Sequence, residues 1–469
     1  MNREKKLVKN TFILSIGSVL PKFASIITLP IITACLTKAE YGTYDLIIIL
    51  VSLFLPIATL QMQTAGFRFL INARNDEQAK KSIITNIIFF TIPVSITALV
   101  ILYVCLYTID PVIRILIVTY FFIDTVLKTV QQMARGLSRN FIYSLSAIIS
   151  SSIELLLILL FLSVLNGRLS GLLTATIVAE GCSLIFIIWK SRLFSYFDLK
   201  SISKSEIVSL LKYSWPMIPN GLSSWIMRVS DRLIITAFLG VEANAIYAVA
   251  NKLPNMFSIM QNTFALAWQE SASLALEDAD SNKYYSKIFD NIFNLLIGIM
   301  ALLIASTPIL FVVLIQGDYG KAYYQMPILY IGILFSSLSS YLGGIYVANM
   351  QSKKVGISTA TAALCSILIN LVFVKIIGIY AASIATLVSY FLLTVYRMKD
   401  VTKFQPMFFN VRKITFSIAL LSLMSLICYQ QKLILNIINA VIAIVIAVVL
   451  NKKLILRTLT VMKQKIRKK

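Results

Sequence analysis

The segment SDRLIITAFLGVEANAIYAVANK, residues 230–252, places an aspartate and an arginine in what otherwise reads as a membrane helix. A charged side chain at the bilayer centre costs about 2.5 to 3.5 kcal/mol on insertion scales, so such residues are rare unless they are used. After a turn near Gly240 a second apolar run begins. The segment therefore predicts two consecutive transmembrane helices, and it raises the question of what Asp231 and Arg232 do.

Similar apolar runs recur from residue 11 to residue 450 of the 469-residue chain, which is 58% hydrophobic and 13% charged. Windows of about 20 apolar residues, divided at loop signals, predict an all-α polytopic membrane protein with about 14 transmembrane helices. The predicted spans lie near residues 11–36, 43–67, 83–107, 112–134, 141–165, 170–190, 209–239, 243–268, 288–315, 322–350, 356–377, 379–396, 412–429 and 433–450.

The net charge of +23 would suggest a nucleic-acid partner in a soluble chain. Here the basic residues lie mostly in short loops between apolar runs, where positive charge marks the cytoplasmic side of a membrane protein. We therefore expect no nucleic-acid partner. The asymmetry predicts that both termini are cytoplasmic, with Lys353 inside and Lys321 outside.

The sequence has few of the residue patterns that bind metals or perform catalysis. Histidine is absent, and the five cysteines fall inside or at the edge of apolar runs without a metal-binding spacing. No loop is long enough for a separate domain. We therefore expect no cofactor, no metal site and no enzymatic activity.

A short repeat relates the two halves of the chain. The stretch LTKAEYGTY, residues 36–44, aligns with LGVEANAIY, residues 239–247, and the offset corresponds to six predicted spans. An even number of spans keeps the same orientation, so the repeat predicts two six-helix bundles related by a pseudo-two-fold axis along the membrane normal. Glu40 and Glu242 also fit the simpler role of anions at helix N-termini. The predicted division is 1–195 for the first bundle, 196–208 for a cytoplasmic linker, 209–400 for the second bundle and 401–469 for two extra helices and a basic tail.

At these two stretches the chain resembles the polysaccharide transporter family of the MOP superfamily, which contains O-antigen and exopolysaccharide flippases. Ala245 stands where the family usually has glycine. The resemblance implies a cavity lined mainly by spans one, two, seven and eight, and alternating access without ATP hydrolysis in the bacterial plasma membrane. It implies an oligosaccharide linked to undecaprenyl pyrophosphate as cargo. Membrane lipids, a polysaccharide polymerase and a chain-length regulator are the candidate partners.

Polar residues in spans one, seven and eight recur at spacings of three and four, which places them on one face of each helix. Three polar faces predict a wet cavity. The alternative is that small polar residues form hydrogen bonds between helices. The candidate substrate-binding residues on or beside these faces are Lys22, Arg228, Asp231, Arg232, Asn251, Lys252 and Asn255.

The charges on these faces favour an anionic substrate. Four cations, at positions 22, 228, 232 and 252, outnumber Asp231, the only acid in the same three spans. A pyrophosphate supplies negative charge and oxygens suited to the guanidinium fork. We expect Arg232 to face the phosphates and Asp231 to orient Arg228. A multidrug cation antiporter of the same superfamily would favour a negative cavity, and a membrane polymerase or ligase would need a large outside loop.

Three further acids, Asp124, Glu154 and Glu180, lie in predicted spans four, five and six. A carboxyl group in a membrane is a candidate carrier of a proton or a sodium ion. Asp124 precedes Lys128 by four residues, so an alternative is that it only forms an ion pair there. Glu154 has no cation nearby in the sequence and ranks first for ion coupling.

Overall fold

The computed structural model describes residues 16–73, 75–278 and 280–467, and the Arg228 side chain lies outside the described part. All regular structure in these ranges is helical, which confirms the predicted all-α class. The chain forms two compact units, Met1–Leu233 and Ile234–Lys469. The predicted bundle boundaries, which divide the chain near residue 200, remain a prediction.

Unit one contains nine described α-helices. They are α1 (Ile16–Cys35, interrupted by a turn at Thr28), α2 (Lys38–Ala58), α3 (Met62–Asn72), α4 (Glu77–Cys105), α5 (Pro111–Gly136), α6 (Asn140–Ile158), α7 (Arg168–Lys190), α8 (Lys204–Ser214) and α9 (Met217–Leu239), whose last turns belong to unit two. A π-helical segment, Leu159–Val164, extends α6, and two short 3-10 helices, Leu193–Tyr196 and Leu199–Ser201, separate α7 from α8.

Unit two contains eight described α-helices after the last turns of α9. They are α10 (Val241–Ala250), α11 (Lys252–Leu274), α12 (Ser281–Leu314), α13 (Gly320–Ala348), α14 (Ser352–Ile377), α15 (Tyr380–Val401), α16 (Val411–Tyr429) and α17 (Leu433–Arg467).

Eleven of the described helices are long and apolar enough to cross a membrane. Three more, α5, α9 and α11, have 26, 23 and 23 residues but carry more polar and charged side chains, which lowers their hydropathy. Together these helices correspond to the predicted set of about 14 spans. The polar ones contain Asp124, Arg232 and Lys252, so the least apolar helices carry most of the candidate functional charges.

Three predicted spans end differently in the structure. Span 43–67 is interrupted: α2 runs from Lys38 to Ala58 and α3 begins at Met62, and between them Leu60 and Gln61 have left-handed φ angles of 44° and 58°. Span 209–239 is two helices, α8 and α9, separated at Trp215 and Pro216. Span 243–268 is broken at Asn251 into α10 and α11.

The repeated turns begin helices, as the capping interpretation predicts. Thr37 and Glu40 form a capping box at the start of α2, in which the Glu40 carboxylate accepts the Thr37 N–H at 2.9 Å. Glu242 lies in the first turn of α10, directly after Gly240, whose φ of 87° suits glycine. The two glutamates therefore start equivalent helices in the two units.

Each unit has an apolar core of its own. In unit one, buried side chains of α3, α4, α5, α7 and α8 pack in one cluster that includes Leu70, Ile84 and Met133. In unit two, the Trp268 ring stacks on Tyr341 at 4.4 Å, and its indole N–H donates to the Tyr341 carbonyl at 2.8 Å. The helices that carry Asp124, Glu180 and Lys252, namely α5, α7 and α11, therefore belong to these packed cores.

Candidate transport site

Arg232 forms an ion pair with Asp45, an acid that the sequence reasoning did not consider. Arg232 NH1 lies 2.7 Å from Asp45 Oδ1 and 3.0 Å from Asp45 Oδ2. The two side chains are only 18% and 12% exposed. Because leaving one member of a buried pair without its partner costs several kcal/mol, this pairing strongly favours keeping Arg232 next to an anion.

A second contact joins the same two helices. The Trp225 indole N–H lies 2.8 Å from Ser52 Oγ and 3.2 Å from the Ile49 carbonyl, and Trp225 is buried. Trp225 precedes Arg232 by seven residues, and Ser52 follows Asp45 by seven. Seven helical residues span about 10.5 Å, or roughly two turns. The two contacts therefore fix α2 and α9 in one antiparallel register.

The other predicted binding residues of unit one are less fully defined. Asp231 is half-buried, and its predicted partner Arg228 has a side chain outside the described residues, so their contact stays a prediction. Lys22 is exposed on α1, one turn before Ser25, whose hydroxyl donates to the Lys22 carbonyl. The sequence reasoning counted acids in spans one, seven and eight only, and it thereby omitted Asp45 of the second span.

In unit two, the predicted residues cluster at the junction of α10 and α11. Asn251 donates from its side-chain amide to the Tyr247 carbonyl at 3.0 Å, which satisfies an acceptor next to the helix break. Lys252 is half-buried and Asn255 is exposed, while Tyr247 is buried. This bond is local to the end of α10, so it does not test the alternative of hydrogen bonds between helices. The binding roles of all three remain predictions.

A polar connection leads from Tyr44 to Glu154 inside unit one. Thr176 Oγ1 lies 2.9 Å from the Tyr44 hydroxyl and 3.2 Å from Glu154 Oε1. The Thr176 hydroxyl also lies 3.1 Å from the Leu172 carbonyl. Its single proton can therefore go either to the Glu154 carboxylate or to that carbonyl. Glu154, which has no local cation in the sequence, therefore contacts a hydroxyl contributed by the neighbouring helix α7.

The three predicted coupling acids lie near one another. Lys128 Nζ lies 3.6 Å from Asp124 Oδ1, which confirms the ion pair predicted from their spacing. Glu180 interacts electrostatically with Asp124, Lys128 and Glu154. Its Oε2 atom is buried and has no hydrogen-bond partner among the described residues. We call Asp124, Glu154 and Glu180, together with Lys128, the acid cluster, in which carboxyl groups outnumber the lysine.

Comparison with known proteins identifies the family. Residues 7–269 match the family described as "Polysaccharide biosynthesis protein", which is more than half of the chain. The chain belongs to this family. No curated protein sequence matches it. The matched region contains Asp45, Arg232 and the whole acid cluster.

Solved structures with the same fold are membrane transporters of the MOP superfamily. Lipid II flippase MurJ, in an inward closed conformation, has a TM-score of 0.71 and 14% identity and covers 95% of this chain and 100% of its own. An inward-facing multidrug resistance MATE transporter of the MOP superfamily has a TM-score of 0.62 and 14% identity, covering 81% and 98%. A MOP transporter from Pyrococcus furiosus has a TM-score of 0.56 and 14% identity, covering 86% and 96%.

The family match agrees with the predicted resemblance to polysaccharide transporters, and the fold is one that transporters of the MOP superfamily also have. At 14% identity the structural similarities show the fold alone, and they include both a flippase and multidrug transporters. The chain therefore has the fold of multi-pass membrane transporters, and its activity and cargo have to be argued from its own residues.

Proposed function

We propose that this protein is a flippase that moves a polyprenyl-pyrophosphate-linked oligosaccharide, such as an O-antigen, capsule or exopolysaccharide repeat unit, across the bacterial plasma membrane by alternating access. The observation that carries this proposal is the largely buried ion pair between Arg232 of α9 and Asp45 of α2, a helix long and apolar enough to cross a membrane. A guanidinium that is held by one carboxylate can instead donate to a phosphate, which offers the same arrangement of acceptor oxygens.

The charge balance supports an anionic cargo even after Asp45 is included. Spans one, two, seven and eight contribute cations at positions 22, 228, 232 and 252 against Asp45 and Asp231. The cavity that the family resemblance implies for these spans would therefore carry net positive charge. An organic cation, the cargo of the rival multidrug function, would be repelled there, whereas a pyrophosphate would be attracted.

Asp45 has a defined part in this proposal. In the substrate-free protein it neutralises Arg232, which avoids an isolated buried charge. When the lipid pyrophosphate arrives, its oxygens compete with the Asp45 carboxylate for the guanidinium. Binding is therefore an exchange of anionic partners around Arg232, with Lys22, Arg228, Asp231, Lys252, Asn251 and Asn255 as further proposed contributors.

We propose the acid cluster as the coupling site for a proton or a sodium ion. Its carboxyl groups exceed its lysine, so a bound cation would reduce the remaining negative charge. Glu154 and Glu180 are the better candidates, because Asp124 already pairs with Lys128. The Thr176 hydroxyl can donate to Glu154 or to the Leu172 carbonyl, so its hydrogen bond would change when Glu154 takes up a cation.

The binding experiment uses purified protein and a labelled undecaprenyl-pyrophosphate sugar, with organic cations as competitors. Arg232→Ala should weaken binding about tenfold or more, because a charge-assisted hydrogen bond contributes about 1.5 to 3 kcal/mol. Arg232→Lys should lose less, since lysine keeps the charge but not the fork. Arg412→Ala, which removes an exposed arginine, is the matched control.

Two results would overturn the proposal. One is wild-type affinity of Arg232→Ala and Arg228→Ala for the lipid-linked sugar. The other is competition by organic cations together with no measurable binding of the sugar. The latter result would favour the multidrug antiporter.

The proposed orientation has its own test. Single cysteines replacing Lys321 and Lys353, both of which are exposed, are introduced into a cysteine-free protein and treated with an impermeant maleimide on intact cells. The positive-inside distribution predicts labelling at position 321 only. Labelling at position 353 but not at position 321 would reverse the proposed topology.

A further inference from the structure

The connection between α7 and α9 is held in a fixed position on α4 rather than left as a loose linker. Thr85 Oγ1 donates to the Tyr196 carbonyl at 3.2 Å and accepts the Asp198 N–H at 3.0 Å. Asn86 donates to the Ser201 carbonyl at 3.0 Å and accepts the Ser203 N–H at 2.8 Å. Thr85 and Asn86 are fully buried, so two interior side chains fix four backbone groups of the connection.

Although its backbone is fixed, this connection exposes large apolar side chains. We call residues 189–215 the collar. Its most exposed large side chains are Trp189 at 72%, Phe194 at 78%, Leu199 at 65% and Trp215 at 64%. Aromatic side chains with a polar edge are favoured at the boundary between a membrane and water, where both parts of the ring are solvated appropriately.

The collar is also basic, and its basic side chains are the ones that point outward. All five are exposed: Lys190, Arg192, Lys200, Lys204 and Lys212. The two acids, Asp198 and Glu206, are partly buried. The Asp198 carboxylate accepts the Ser201 hydroxyl at 2.9 Å and the Lys200 N–H at 3.0 Å, and these bonds lower the pKa of Asp198. Its charge is thus stabilised within the collar, and the outer surface is predominantly positive.

Both ends of the collar are tied to the membrane boundary. Trp189 lies one residue before the end of α7, a helix long and apolar enough to cross a membrane. Trp215 lies two residues before the start of α9. With Trp189 at the end of such a helix, the collar would run along the interface, with its apolar side chains towards the bilayer and its basic side chains towards the headgroups. Lys190 Nζ lies 5.7 Å from the Trp189 ring centroid, which places both kinds of side chain together.

We propose that the collar binds the headgroups of anionic phospholipids in the leaflet that it faces, with its aromatic side chains inserted among the acyl chains. The positive outer surface selects anionic over zwitterionic headgroups. The buried contacts of Thr85 and Asn86 hold the surface ready before lipid binds. This inference concerns a surface apart from the transport site, and it does not depend on which cargo is carried.

The experiment uses the tryptophans of the protein as probes in lipid nanodiscs. Of four tryptophans, Trp189 and Trp215 lie in the collar, whereas Trp225 and Trp268 are buried at 5% and 3% exposure. Subtracting the emission of the Trp189→Phe/Trp215→Phe variant from that of the wild type isolates the collar. Two bilayers are compared, each with equal small fractions of phosphatidylglycerol and phosphatidylcholine in the same background. In one, the phosphatidylcholine is brominated; in the other, the phosphatidylglycerol is brominated.

We expect brominated phosphatidylglycerol to be enriched about fivefold or more around the collar tryptophans, because one basic side chain near an anionic surface contributes about that factor. Added salt should reduce the enrichment through screening. Replacing the five collar cations by glutamine should make quenching by the two brominated lipids equal. The matched control replaces five exposed basic residues of unit two, Lys283, Lys287, Lys399, Arg412 and Lys452, and should keep the preference.

Equal quenching of the wild-type collar by the two brominated lipids would overturn the proposal. Loss of the preference in the unit-two control as well would also overturn it, because net charge alone would then be responsible. Collar tryptophans that neither lipid quenches would show that this surface faces something other than the bilayer.

Discussion

The substitution Asp45→Asn tests the exchange of anions around Arg232. Asparagine has nearly the shape of aspartate and keeps one oxygen that can accept from the guanidinium, but it removes the negative charge. If Asp45 and the substrate phosphates compete for Arg232, the variant should bind the lipid pyrophosphate more tightly than the wild type. If Asp45 only positions the guanidinium, the variant should bind more weakly.

The geometry gives the size of the effect. After the exchange, the displaced Asp45 carboxylate would still lie about 7 Å from the phosphate that Arg232 holds, and at an effective dielectric constant of about 20 to 40 the repulsion is about 1 to 2 kcal/mol. Removing that repulsion corresponds to a decrease in Kd of about five- to thirtyfold. The substrate-free variant should also be less stable. Breaking a buried pair costs about 3 to 5 kcal/mol, and partial exposure with a retained oxygen acceptor reduces this to about 1 to 3 kcal/mol.

Binding of the labelled lipid-linked sugar to purified protein measures the affinity, and thermal unfolding with and without the sugar measures the stability. Asp290→Asn is the control, because Asp290 also pairs with a cation, Lys413, at 3.8 Å, but its side chain is 47% exposed. The gain should vanish when Arg232→Gln is added to Asp45→Asn, as a double-mutant cycle requires. Unchanged or weaker binding by Asp45→Asn would refute the competition.

Two further predictions concern the coupling site and the core. Glu154→Gln should abolish the ion-gradient dependence of transport in vesicles and leave the substrate affinity nearly unchanged. The control Glu77→Gln, at an exposed residue, should keep the ion-gradient dependence. Full dependence in Glu154→Gln would remove this residue from the coupling site. Gly344→Ala should lower the free energy of unfolding by about 1 to 3 kcal/mol, because the added Cβ would lie 2.5 Å from Trp268 Cδ1. Gly356→Ala meets no atom within 4 Å and should be neutral or slightly stabilising, so equal thermal unfolding temperatures of the two variants would contradict the packing argument.

The helical architecture could be predicted because membrane spans are encoded locally. A run of about 20 apolar residues can be detected in a sequence window of that length, without knowledge of the rest of the chain. Even the more polar helix α9 was predicted in this way. The turn after α2 escaped this reasoning because Leu60 and Gln61 adopt left-handed backbone angles without glycine, while the apolar pattern continues through them. Hydropathy reports solvent preference and does not report such a break in a helix.

The same distinction separates the predicted from the missed contacts of the candidate site. The Asp124 and Lys128 pair was predictable, because residues four apart share one helical face. Asp45 and Arg232 are 187 residues apart, and Thr176 and Glu154 are 22 apart, so both contacts require the packing of different helices. An acid inside the second span was nevertheless a usable signal, since an intramembrane charge normally has a partner.

The two contacts between α2 and α9 differ in what can release them, and this difference gives substrate binding a local mechanical consequence. The hydrogen bond between Trp225 and Ser52 is neutral, so an arriving pyrophosphate gains less from breaking it than from breaking an ion pair. The pair of Arg232 and Asp45 is charged, and a phosphate competes for it directly. Under the proposed function, cargo would therefore release the two helices at one point and leave them joined two turns away. Asp45→Asn removes the ion pair with Arg232 before any cargo binds, so cargo binding can no longer release that contact. Transport by this variant should therefore fall even as its affinity for the cargo rises.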